Sequence, residues 1–148
     1  MANPTTGTGF ALTVERTIAA PPERVFEAFT QAQQLARWFR PGEDFKVTVH
    51  ALDARVGGRY RFEMRKPDGS TSIVAGTYDE VARPRRLVFS WAWEDKPQDG
   101  MSRVTVTIEP KGDGARLVLV HEQLPTVESR EAHTHGWNGC LDTLLKQF

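Results

Sequence analysis

The chain has 148 residues, 39% hydrophobic and 26% charged, and its 19 basic residues balance 19 acidic ones for a net charge of zero. A domain of this length buries roughly 70% of its unfolded surface, enough for a real core, and a neutral balance argues against nucleic acid or an anionic membrane as partner, since both select basic proteins. Cys140 is the only cysteine, which excludes an intramolecular disulfide, and no apolar run is long enough to cross a membrane.

Residues 1–9, MANPTTGTG, are small, polar and Gly-rich, the composition of a flexible tail. They hold neither the charged nor the apolar region of a signal peptide, so the expected location is the cytoplasm. The remainder, residues 10–148, reads as one domain. Phe10, Leu12, Val14, Arg16 and Ile18 alternate with polar residues and predict a first strand. Pro21-Pro22 followed by Glu23 starts a short helix with Val25, Phe26 and Phe29 on one face. Leu35, Trp38 and Phe39, spaced i, i+3, i+4, predict a second helix that Pro41-Gly42 stops.

A strand-rich block follows. Phe45, Val47 and Val49 mark a second strand over residues 44–52, and Gly57-Gly58 permits a sharp bend. In the third strand Tyr60, Phe62 and Met64 alternate with charged residues, and Pro67-Asp68-Gly69 is a turn. Residues 71–81 predict a fourth strand in which Gly76 marks the close approach of a neighbour. Residues 86–93 predict a fifth, with Leu87, Phe89, Trp91 and Trp93 on one face. Val104, Val106 and Ile108 define a sixth, and the hairpin turn Gly112-Asp113-Gly114 leads to a seventh with Leu117, Leu119 and His121 on one side. Thr126 is placed to cap a long last helix carrying Trp137, Cys140, Leu141, Leu144, Leu145 and Phe148. Short connections favour antiparallel neighbours, and the apolar stripe of the last helix is the natural cover for a curved sheet.

The aromatic face of strands three to five is either a packed core or a cavity wall, and alternation alone leaves both open. Gly136 and Gly139 leave the same choice: they let a backbone or a ligand come close to the last helix, or they are neutral packing positions. Arg16 shares parity with Val14 and Ile18. It is expected inward, either paired with Asp79 or Glu80 or anchoring an anionic or carbonyl group of a ligand. His121 is expected on the concave side, as a satisfied core histidine, a ligand partner or a general base. His133 and His135 lack the i, i+4 spacing of a helical metal site, and they read as exposed or partly buried helix residues. No metal site, phosphate-binding loop or serine-hydrolase elbow is found, so neither a cofactor nor a set of catalytic residues is assigned.

The ordered segments DARVGGRYRFEMR, GTYDEV, RPRRLVFSWAW, SRVTVTI, GDGARLVLVHEQLP and HGWNGCLDTL resemble the helix-grip superfamily of START and Bet v-type ligand binders (SRPBCC). Within it, residues 10–148 are similar to the family named after the C-terminal domain of the activator of the heat-shock-protein-90 ATPase. The resemblance implies an α+β helix-grip fold, in which a seven-stranded curved antiparallel sheet wraps a long C-terminal helix and two short helices lie between strands 1 and 2. It also implies a deep, largely apolar cavity between sheet and helix, and so a hydrophobic small molecule as partner. On that basis Trp38, Tyr60, Phe62, Trp91, His121, Trp137, Leu141 and Arg16 are the candidate ligand-binding residues. Two alternatives follow from the same resemblance. One is a cyclase-, aromatase- or hydrolase-like enzyme in which His121 or Arg16 polarises the substrate, so that His121→Ala abolishes turnover and leaves the fold intact. The other is an interaction module, either chaperone-linked or a homodimer.

Overall fold

The computed structural model describes residues 9–148; of the expected tail at residues 1–9, all but Gly9 lies outside the described residues. The strands are β1 (Phe10–Ile18), β2 (Lys46–Leu52), β3 (Arg59–Arg65), β4 (Thr71–Ala82), β5 (Arg86–Trp93), β6 (Ser102–Lys111) and β7 (Gly114–Leu124). The helices are α1 (Pro22–Thr30), α2 (Ala32–Trp38) and α3 (Val127–Leu145). All seven strands form one antiparallel sheet in the order β1-β7-β6-β5-β4-β3-β2. This is the α+β helix-grip arrangement that the sequence leads one to expect.

Local chemistry accounts for each element. Pro22 opens α1, whose Val25, Phe26 and Phe29 are buried. The Thr126 side chain accepts from Ser129 N at 3.0 Å and caps α3. In β3, Tyr60, Phe62 and Met64 are buried while Arg59 and Arg65 stay exposed, the period-two pattern of a sheet with one covered face. Irregular pairing between Phe10 and Leu12, Val49 and Ala51, and Tyr78 and Glu80 bends the strands and curls the sheet. Gln123, at φ +67°, shifts the parity of β7 so that His121 and Leu124 both face inward. Gly76 marks the predicted close approach, since a Cβ there would overlap the Ser90 carbonyl oxygen and the Tyr60 ring.

The cover helix is tied to the sheet edge by Arg16. Its guanidinium donates to Asp142 Oδ1 at 3.0 Å, to Asn138 Oδ1 at 2.9 Å and to the Glu15 carbonyl at 2.9 Å. The partners expected for it, Asp79 and Glu80, lie on β4 on the far side of the sheet, so the inward reading fails at that point: the long side chain turns along α3 instead. Asp142 is 64% exposed, so water competes for the pair. Arg16→Met is expected to cost only about 1 kcal/mol in urea denaturation and to leave ligand binding unchanged, because the arginine is a structural tie.

Candidate functional site

Between the sheet and α3 the space divides into two ends. The inner end is filled by rings. Phe39, one residue past α2, packs edge-on against Phe62 (5.4 Å), Trp91 (6.0 Å) and Trp137 (5.9 Å). Tyr60 lies 4.7 Å from Phe62 and 5.5 Å from Phe89, with its hydroxyl donating to the Ser90 carbonyl at 2.7 Å. Trp38 N–H donates to the Ala28 carbonyl at 2.8 Å. Only about 20 Å³ stays empty there, less than a small ligand needs.

The outer end is open. A recess of about 190 Å³, reached from solvent, lies between Met64, Trp91 and Trp93 of the sheet and His133, Gly136, Trp137 and Cys140 of α3. Phe39 and Pro41 close its floor, and Lys66, Ser72, Asp95 and Lys96 stand around it. The two helix glycines set its shape. At Gly139 an added Cβ would strike the Pro41 carbonyl, so this position lets backbone pack on backbone; at Gly136 nothing lies within 4 Å. The helix is thus seated at Gly139 and leaves a gap one turn earlier.

A buried polar chain backs the recess. Trp137 N–H donates to His121 Nδ1 at 3.0 Å, and His121 Nε2 lies 2.7 Å from Ser102 Oγ, which donates to the Trp91 carbonyl at 3.3 Å. These bonds place the His121 proton on Nε2. His133 has the opposite arrangement: its Nε2 accepts from Trp93 N–H at 3.0 Å and its Nδ1 donates to the Ser129 carbonyl at 2.7 Å. The two imidazoles are 4.8 Å apart.

The family model for the Activator of Hsp90 ATPase homolog 1-like protein matches residues 19–148. The chain belongs to this family. No curated protein matches it. Among solved structures it is similar to protein CV1439 from Chromobacterium violaceum, with 33% identity, 93% of this chain and 95% of that chain covered, and a TM-score of 0.86. The AHSA1 (SPO3351) protein from Silicibacter pomeroyi is 28% identical over 93% of this chain and 96% of that one, with a TM-score of 0.83. Protein Mll3558 from Rhizobium loti is 28% identical over 95% and 97%, with a TM-score of 0.79. A fold of this family is of a ligand-binding type in general.

Two of the eight candidate residues, Trp91 and Trp137, line the recess. Trp38, Tyr60 and Phe62 sit in the packed inner end. Leu141, fully buried, belongs to the core under α3, and Arg16 is at the β1 edge. His121 has no exposed surface, and both its ring nitrogens are bonded. A deep cavity is therefore replaced by a shallower one, because Phe39 and its neighbours occupy the depth. Trp93, which shares the aromatic face of β5, lines the recess without being among the candidates, as do His133 and Gly136. The signal for these two was their spacing: positions 133, 136, 137 and 140 fall on one helix face. His133 is weighed in the sequence only as a metal ligand, for which its spacing from His135 is wrong, and so reads as an exposed or partly buried helix residue.

Burial holds the His121 pKa well below 6.5, and the neighbouring His133 adds to this; burial likewise lowers His133. Below about pH 6.5 the unfolded chain therefore binds protons that the folded chain refuses. Stability is full above that pH and falls as pH drops through the window between 6.5 and the lowered folded values, with a slope approaching about 1.4 kcal/mol per pH unit from His121. Denaturation midpoints measured from pH 7.5 to 5.5 are expected to fall, and the fall is expected to shrink in His121→Gln.

Proposed function

We propose that this protein binds a small apolar or aromatic molecule in the recess between β3–β5 and α3. The observation that carries the reading is the gap at Gly136: the cover helix lacks a side chain where two tryptophans and a methionine of the sheet face it, and no described residue fills the space. A dry engineered cavity of about 150 Å³ accepts benzene, and drug-sized sites begin near 300 Å³. A recess of about 190 Å³ therefore suits a ligand of one or two rings. His121 gives the cyclase-, aromatase- or hydrolase-like alternative no support, because neither ring nitrogen is free to move a substrate proton.

Titration with indole or 3-phenylpropanamide, read by tryptophan fluorescence, is expected to give a saturable change that Gly136→Leu removes. A linear response, equal in both proteins, would sink the reading.

A further inference from the structure

We propose that the molecule this recess accepts is an apolar acid, an aromatic or aliphatic body with one carboxylate, whose anionic head is held by Lys66 and Lys96. The proposal rests on the recess being a binding site, and it adds the class of ligand.

The unmet polar needs around the recess all have one sign. Lys66 follows β3 and is fixed by its hairpin, its N–H donating to the Ser70 carbonyl at 2.8 Å and its carbonyl accepting from Gly69 N at 2.9 Å. Lys96 follows β5, with its N–H donating to the Trp93 carbonyl at 3.2 Å. Neither ammonium has an ion-pair partner among the described residues, whereas Lys146 is paired with Glu43. Asp95 is the single carboxylate lining the recess among the described residues and already accepts from Ser72 Oγ at 3.2 Å. Asp68 lies within electrostatic reach of Lys66 and Asp99 within reach of His133, both outside the lining; among the lining side chains two ammonium groups stand against one carboxylate.

His133 adds no charge and no free acceptor, since its bonds to Trp93 and Ser129 use both nitrogens. Trp91, on the recess wall, carries a buried indole N–H without an acceptor among the described residues, so the remaining surplus is again a donor. A cation would find only a committed Asp95, and a neutral apolar molecule would leave both lysines unanswered. An acid answers the lysines while its body covers Met64, Trp91, Trp93 and Trp137.

The test compares 3-phenylpropanoate with its near-isosteric neutral amide, 3-phenylpropanamide, and with the cation 3-phenylpropylammonium, by calorimetry on the full chain. The acid is expected to bind about tenfold more tightly than the amide, with a preference that declines as salt rises. Lys66→Gln combined with Lys96→Gln is expected to bring the acid down to the amide's affinity and leave the amide unchanged. Equal binding of acid and amide in the wild type, or tighter binding of the cation, overturns the proposal while leaving the recess reading intact, provided Gly136→Leu still blocks all three. If none of the three binds, or Gly136→Leu changes nothing, the recess reading itself fails and this proposal with it.

Discussion

Gly139→Ala is expected to destabilise the protein by about 2–3 kcal/mol, whereas Gly136→Ala, three residues away on the same helix, is expected to stabilise it by up to about 1 kcal/mol. Helix propensity predicts the same gain at both positions, so the contrast comes entirely from what the new methyl group meets. At Gly139 it meets the Pro41 carbonyl, a backbone atom held by the turn after α2 and unable to rotate aside. α3 would have to lift from that turn, and with it Trp137 and Cys140, which pack on the same side. At Gly136 the methyl enters the recess and meets nothing. Urea denaturation of the two variants side by side checks this. Equal shifts of the same sign would mean that α3 is not seated on Pro41.

His121→Ala is expected to cost about 3–5 kcal/mol, a large share of the 5–15 kcal/mol of a typical domain. The loss has two parts. Removing a fully buried ring leaves a cavity among Trp91, Trp137 and His133. It also leaves the Trp137 indole N–H and the Ser102 hydroxyl short of partners in a buried site. This reverses the expectation that the substitution spares the fold. A histidine facing the concave side of a sheet suggests a general base only while its nitrogens are free. Here they hold α3, β6 and β7 together. Calorimetric unfolding should show a clear fall in Tm, while a variant that folds as well as the wild type would show that the chain Trp137–His121–Ser102 contributes little.

The fold was legible in the sequence because its signals are local and repeated. Period-two alternation in β3, β6 and β7, the Pro-Pro helix start and the Thr126 cap each act within a few residues, and each reappears in the structure; in β5 the alternation is blurred, since Val88 is buried as well and Trp93 is only half-buried. The candidate site was legible only in part. Parity correctly placed Trp91 on the covered face, and helical spacing placed Trp137 opposite it. Neither rule says how far apart two facing surfaces stand. That distance is set by Gly139 on Pro41 and by Phe39 wedged between three rings, contacts separated by up to about a hundred residues. Tyr60 and Phe62 therefore looked the same in sequence as Trp91, although they lie in the filled end. The direction taken by Arg16 was equally hidden, because a long side chain at a strand edge can turn along the covering helix rather than into the core.

The most direct test uses the four tryptophan indole N–H signals of a ¹⁵N-labelled sample. Trp91, Trp93 and Trp137 line the recess, while Trp38 is bonded to the Ala28 carbonyl in the packed end. On titration with 3-phenylpropanoate the three recess signals are expected to shift together and saturate, with Trp38 unmoved. A spectrum in which none shifts, or in which Trp38 moves and the other three do not, would contradict the account.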